Sequence, residues 1–400
     1  MKESLLGQNP SLIELAAPAW IHRGARGMVL RLLRHLKVGT LTLVDGKDSF
    51  RYEGNEEPDA IQVTFRVHDP RFYAKATLGG TIGTGEAFME GLWSCDDIPA
   101  LVHLILRNRS MFRELESLWM LLSEPFQKFL HHLRRNTRKG SKENIAAHYD
   151  LSNDFFALWL DETMTYSCGI FDRPETKLRE AQVAKIDQHY GCRVTTTTIS
   201  AQQHEFASQR IREAGLGKRI RLLREDYREL KGEYDKLVSV EMIEAVGHQY
   251  YEDFFRTCGR LLKPEGQMLL QTITIEDAAY ATARDSVDFI KKYIFPGSCI
   301  PSVTALLQAA TRASELRLIH FEDLTPHYAT TLRQWRENFL KQREAVVSLG
   351  FDEKFLRMWE FYLSLCEGSF AARYIGDAQL LLSGPLNRRE PLLPNLPKPG

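Results

Sequence analysis

The sequence predicts an α/β protein: a sheet of parallel strands with helices on its faces, preceded by a smaller α+β domain. Three observations carry this. Beyond residue 193, short apolar strand candidates alternate with helical stretches, the pattern of a parallel sheet with helical crossovers. Before residue 130, strands and helices are mixed without that rhythm. Between the two, residues 134–142 (RRNTRKGSK) carry five basic residues and one glycine, the composition of a linker. The 400 residues leave room for two domains of ordinary size. The expected division is 1–133, a linker at 134–142, a second domain at 143–382 and a Pro-rich tail at 383–400.

In chain order, residues 24–37 (GARGMVLRLLRHLK) pair an apolar stripe with Arg26, Arg31, Arg34 and Lys37, which predicts an amphipathic helix. Residues 40–44 and 61–67 alternate as half-buried strands do. Residues 79–86 (GGTIGTGE) look like a phosphate loop, but they lie outside the strand–helix alternation, so a structural turn is expected there. Residues 98–135 read as helical, with a break expected at Pro125. Within them Met111, Phe112, Leu115, Leu118, Trp119, Leu122 and Phe126 form a stripe that suits core packing or a surface dipping into a bilayer. Residues 144–162 and 175–187 read as helical. Strands are expected at 193–199, 220–223, 236–240, 267–275 and 316–321. Five prolines in 383–400 predict a loose tail.

Composition excludes several classes. Lys+Arg and Asp+Glu both total 52, against a globally basic nucleic-acid binder. No apolar run approaches the roughly 18 residues needed to span a bilayer. The N-terminus lacks the apolar core of a secretory signal, which predicts a cytoplasmic location. The six cysteines form no CxxC pair, so neither a zinc site nor a disulfide framework is expected. The basic residues at 134–142 suit either a solvated hinge or anionic lipid headgroups.

Four segments carry the chemistry together. They are His148–Asp150 with Tyr166-Ser167-Cys168-Gly169; TTTISAQQ at 196–203; EMIEAVG at 241–247 with Tyr251 and Phe254; and YIFPGSCIPS at 293–302 with PHYATTL at 326–332. In this order they resemble the cyclopropane-fatty-acyl-phospholipid synthase family and its relatives, the mycolic-acid and fatty-acid C-methyltransferases. The resemblance extends to FRVHDPRFY at 65–73 and GTGEAFMEGLW at 83–93, and so covers nearly the whole chain. It implies a Rossmann-like, S-adenosylmethionine-dependent methyltransferase domain behind a lipid-interacting N-terminal domain. The implied reaction moves a methyl group onto the cis double bond of an unsaturated phospholipid acyl chain. The resulting carbocation loses a proton to a bound bicarbonate ion, giving a cyclopropane or a methyl-branched chain.

By the same resemblance, Cys168, Glu244, Ile273 and Tyr328 match the bicarbonate-holding positions. Glu244 would orient the ion through a shared proton and Tyr328 would donate its hydroxyl; Ile273 and Cys168 would act through backbone groups. Gln271 stands where the best-known synthases carry a histidine, and glutamine cannot carry a proton charge. Tyr166 and Ser167 match contacts to the methionine end of the cofactor. Thr198, Ile199, Ser200, Gln202 and Gln203 match the ribose side, and Asp226 and Tyr227 the adenine side. The resemblance places the protein at the inner face of an anionic membrane, without nucleic acid or metal, and leaves a homodimer open.

One expected feature is missing. A nucleotide-binding sheet opens with a strand, a glycine-rich turn and a helix. Here 175–187 (ETKLREAQVAKID) runs directly into Gln188-His189-Tyr190-Gly191, which resembles the end of that helix. Roughly 25–30 residues of the unit are absent by this reading. The absent strand would stand mid-sheet, so two inner edges are expected to go unpaired. The chain then reads as a lipid methyltransferase lacking an internal segment, a catalytically dead homologue, or a non-enzymatic lipid-binding protein. A small-molecule methyltransferase is the alternative enzyme class, because the sheet pattern does not choose the acceptor.

Overall fold

The computed structural model describes residues 19–54, 61–111, 151–186 and 192–389. The basic stretch 134–142, the stripe residues Phe112 to Phe126, His148–Asp150 and the junction at 187–191 lie outside the described residues. The chain divides into two compact units. One comprises Met1–Gln188, Ala281–Ser298 and Leu324–Gly376; the other comprises His189–Tyr280, Cys299–Asp323 and Asp377–Gly400. No helix of the described residues is long and apolar enough to cross a membrane.

The first unit begins with α1 (Ala19–Leu33) and a four-stranded sheet in the order β2-β1-β3-β4. The strands are β1 (Thr40–Asp45), β2 (Asp48–Glu53), β3 (Gln62–Val67) and β4 (Trp93–Cys95). β1 and β2 form a hairpin whose two-residue loop holds Gly46 at φ +61°, a conformation glycine takes freely. Leu41, Leu43, Val63, Phe65 and Val67 face the core at alternate positions. β2 and β4 were not expected: β2 (DSFRYE) is polar and β4 spans three residues.

The expected turn at 79–86 is instead the middle of α2 (Arg71–Met89), broken at Gly80 (φ +51°). The glycines there serve packing. A Cβ on Gly83 would sit 1.9 Å from the Lys75 carbonyl oxygen, and one on Gly85 would meet the Phe289 ring at 2.4 Å. α3 (Ile98–Arg107) follows, capped by Asp97. Of 144–162, the described part is helical only over α4 (Asn153–Ala157), where the Ser152 hydroxyl accepts from the Phe155 N–H. α5 (Leu178–Ile186) lies within the expected 175–187.

The second unit holds the strand–helix alternation. β5 (Val194–Thr197) runs into α6 (Ala201–Glu213) and returns as β6 (Ile220–Leu223), parallel to β5. β7 (Tyr234–Val240), α7 (Tyr251–Leu261) and β8 (Leu262–Ile275) form a second parallel unit. α7 turns Tyr251, Phe254, Phe255 and Cys258 inward, into a core shared with Met268, Leu270, Leu306, Ala309 and Leu380. β9 (Arg317–Asp323) and β10 (Ile375–Ser383) pair antiparallel, so the sheet is mixed rather than wholly parallel. The tail expected to be loose from 383 is tied down at its start. Gly384 and Leu386 donate backbone hydrogen bonds to Gly266 and Pro264, and a Cβ on Gly384 would meet the Pro264 oxygen at 2.2 Å.

The sheet of this unit is in two pieces. One has the order β7-β8-β10-β9, and the other is the β5-β6 pair alone. β5 and β7 therefore each carry one unpaired edge among the described residues. The apolar side chains near those edges lie open to solvent: Val238 is 64% exposed and Val194 40%.

Candidate active site

In the second unit the chain leaves β7 through Glu241, a non-glycine residue at φ +46°. This left-handed step costs of order 1–3 kcal/mol and persists only where the surroundings hold it. It leads into a tight turn over Ile243–Ala245, in which Ile243 is buried and acts as an anchor. The turn carries Glu244 inward. Its Oε1 accepts from the Thr272 hydroxyl at 2.8 Å and the Ile273 N–H at 2.5 Å. Its backbone carbonyl accepts from the Cys299 N–H at 2.8 Å, and the Tyr251 hydroxyl donates to the Cys299 carbonyl at 2.9 Å. Its Oε2 is buried with no hydrogen-bond partner among the described residues. Burial, reinforced by the negative charge of Glu241, pushes the Glu244 carboxyl up to about 7.

Gln271 lies behind this carboxyl and is fully buried. Its amide nitrogen donates to Glu241 Oε1 at 2.9 Å and Asp377 Oδ2 at 3.0 Å, and its oxygen accepts from Gln379 at 3.1 Å. Both N–H groups are thus committed to carboxylates. The Ile273 N–H is spent on Glu244. Thr272, Glu241 and Asp377 were not singled out in the sequence. Glu241 lies inside the EMIEAVG motif, whereas nothing local marks Asp377.

The other two catalytic candidates, Cys168 and Tyr328, belong to the first unit. The Cys168 thiol is buried and donates to the Gly169 and Leu324 carbonyls, while its own carbonyl accepts from Lys185 at 2.7 Å. Tyr328 lies on α8 (Thr325–Lys341), and its N–H donates to the same Leu324 carbonyl at 3.2 Å. Its ring packs on Phe370 at 4.4 Å and meets Trp335 edge-on.

The cofactor candidates divide in the same way. In the first unit, Tyr166 packs against Trp335 and Trp159, and its hydroxyl pairs with that of Tyr362 at 2.8 Å. Ser167 is held by Lys185, whose ammonium reaches its Oγ at 2.5 Å. In the second unit, the loops after β5 and β6 leave neighbouring ends of a parallel pair, where ligands of such sheets sit. The Thr198 hydroxyl donates to Gln203 at 2.7 Å, Ser200 caps α6, and Gln202 is exposed. Ile199 is half-buried between them. Asp226 is gripped by Arg228 through both carboxylate oxygens, and the buried Tyr227 hydroxyl has no partner among the described residues.

By the resemblance, the loops after β5 and β6 are the candidates for the ribose and adenine end of a nucleoside-type cofactor. They do not fit its methionine end. Gly191 is the only glycine between Glu175 and Ser200, so no glycine-rich turn precedes β5. For a small oxyanion the fit is better, because Glu244 Oε2 is buried without a partner among the described residues and, when protonated, can donate to such an ion.

The chain matches the family described as mycolic acid cyclopropane synthetase over residues 136–190 and again over 188–380. It is 36% identical over 358 residues to the tuberculostearic acid methyltransferase of Mycobacterium tuberculosis, covering 80% of this chain and 83% of that protein. It is 31% identical to the cyclopropane-fatty-acyl-phospholipid synthase of Escherichia coli K12, covering 80% of this chain and 87% of that one. An alignment 358 residues long that covers 80% of 400 must open gaps on this chain's side. Among solved structures, a mycolic acid cyclopropane synthase complexed with SAH and CTAB is similar at a TM-score of 0.55 and 29% identity. That similarity covers 60% of this chain and 97% of the other.

Proposed function

The chain belongs to the mycolic acid cyclopropane synthetase family of S-adenosylmethionine-dependent methyltransferases, and from that premise we propose that its acceptor is the cis double bond of an unsaturated phospholipid acyl chain. The product is a cyclopropane or a methyl-branched chain. Bicarbonate bound at Glu244 would supply the base for the proton that leaves. Glu244 would share its proton with the ion, and Ile273 of the same unit would serve through a backbone group. Support comes from Glu244 itself: a buried carboxyl with one open oxygen, pushed up to about 7, keeps a proton to share near neutral pH.

We further propose that the chain as it stands lacks the first strand, the glycine turn and most of the first helix of its cofactor-binding unit, and so binds S-adenosylmethionine poorly. The observation that carries this is the sheet broken between β5 and β7. The two family matches that meet at 188–190 point the same way. No step is derived through the cofactor, because its methionine end has no cradle here. Calorimetric titration of the purified chain with S-adenosylmethionine is expected to show no binding at micromolar concentrations; micromolar affinity would overturn the proposal. Re-reading the gene across 186–189 shows whether the segment is missing there too.

The same reading places the protein peripherally at an anionic membrane surface on the cytoplasmic side. α1 contains no acidic residue and exposes Trp20, Arg23 and Arg31, and Arg34 just past its end is exposed as well. Each basic residue near such a surface contributes on the order of 1 kcal/mol. Binding to vesicles containing anionic lipid should exceed binding to neutral vesicles and fall with salt. The triple change of those arginines to serine should weaken it about tenfold or more. Binding indifferent to lipid charge and salt would exclude this placement.

A further inference from the structure

Two of the motifs that carry the family resemblance meet in the first unit, in a contact the proposed chemistry does not use. GTGEAFMEGLW at 83–93 supplies Glu86 from α2, and YIFPGSCIPS at 293–302 supplies Tyr293. Glu86 Oε1 accepts from the Tyr293 hydroxyl at 2.6 Å and from the Lys292 ammonium at 2.6 Å. The Glu86 side chain is 15% exposed, so both donors reach a carboxylate largely withdrawn from water. Burial alone would raise the Glu86 carboxyl, but Lys292 and Tyr293 hold it below its usual range. Burial and the Glu86 charge push the Tyr293 hydroxyl up, so it keeps its proton to donate. Charge-assisted bonds of this kind are stronger than neutral ones.

This anchor is continuous with the rings around Tyr166. Lys292 and Tyr293 end the short helix Phe289–Tyr293, and the Phe295 N–H donates back to its Ile290 carbonyl at 2.8 Å. The place of that helix therefore sets the place of Phe295. The Phe295 ring stacks on Tyr166 with centroids 6.4 Å apart, and it meets Tyr362 edge-on at 6.0 Å. Apolar packing brings α2 close enough for the anchor: a Cβ on Gly85 would meet Phe289 at 2.4 Å and Phe361 at 2.8 Å. Such packing has no direction and permits sliding, whereas the two hydrogen bonds to Glu86 are directional.

We propose that Glu86 is a positioning residue for the Phe295–Tyr166 ring pair: through Lys292 and Tyr293, the N-terminal region sets where the helix Phe289–Tyr293 ends and so where Phe295 lies against Tyr166. The N-terminal region then frames the site, in addition to any contact it makes with lipid. That the ring pair serves the sulfonium end of the cofactor rests on the family reading of Tyr166; its placement by Glu86 does not.

The test is fluorine-19 NMR of the full chain carrying 4-fluorophenylalanine at position 295. A separate sample labelled at position 351, where the ring packs on Phe355 and Phe155, is the control. Tyr166→Leu gives the shift of a Phe295 ring without its stacking partner. Glu86→Gln and Glu86→Ala should move the Phe295 signal toward that value and leave the Phe351 signal in place. Lys292→Met with Tyr293→Phe should do the same, and adding Glu86→Gln to that pair should change nothing further. Tyr293→Phe alone keeps the ring and removes one donor, and it reads the same displacement if the carboxyl variants do not fold. Variants that lose thermal stability with the Phe295 signal unmoved overturn the proposal. Titration of the labelled chain with trimethylsulfonium chloride tests the reading of Tyr166 separately. A signal that moves in the variants and ignores the sulfonium upholds the anchor and removes that reading; one that answers the sulfonium and stays put in the variants does the reverse.

Discussion

Insertion of a β-strand, a glycine-rich turn and a helix between Ile186 and His189 is expected to raise the affinity for S-adenosylmethionine by a factor of at least about a hundred. A charged amino-acid end needs two or three hydrogen bonds from backbone groups, each worth roughly 1.5–3 kcal/mol when one partner is ionised. The loops proposed for the other end, at Thr198–Gln203 and Asp226–Tyr227, follow adjacent parallel strands. The inserted strand is proposed to stand between β5 and β7, both of which are unpaired on one side among the described residues. The inserted strand would also cover Val194, Val238 and Val240, all exposed as the chain stands. Backbone amides of β7 should therefore become slower to exchange with deuterium in the restored chain, before any cofactor is added. Calorimetry reads the affinity. A restored chain that protects β7 and still binds no more tightly would refute the idea that the missing cradle is what limits binding.

Legibility followed the range of the interactions. The strand-then-helix run at 194–213 was readable because its signals are local: β-branched residues, then Ser200 as an N-cap. Glu244 was readable because a long motif surrounds it. Its setting was not. Gln271 is oriented by Asp377, 106 residues further along, and no local pattern links them. Gln271 accordingly looked like a substitute for a catalytic group, and its geometry shows an amide with both N–H donors occupied by carboxylates. The glycines at 79–86 misled in the opposite way. Their spacing suggested a turn, while close approach by Lys75 and Phe289 set their identity. The antiparallel pairing of β9 and β10 was hidden too, since strand direction depends on the path of the intervening chain and not on side-chain alternation.

Trp335→Ala is expected to cost the first unit about 3–5 kcal/mol, the largest effect of any single substitution considered. Trp335 is fully buried on α8 and lies at the centre of an aromatic cluster. Its ring is 5.7 Å from Trp159 and 5.2 Å from Tyr166, and it meets Tyr328 edge-on at 6.1 Å. Tyr328 sits seven residues earlier, two turns along the same face of the helix. Removing the indole thus opens a cavity beside two of the candidate site residues. The loss comes from packing alone, because the Trp335 N–H has no partner among the described residues, so no hydrogen bond is broken. Trp335→Phe should therefore recover most of the stability, its smaller ring costing only the unfilled volume. Denaturant unfolding followed by near-ultraviolet circular dichroism, which senses the packed aromatics, measures both variants. If alanine cost less than about 1 kcal/mol, the site would have to collapse freely. The cluster could then not be what holds Tyr166 and Tyr328 in place.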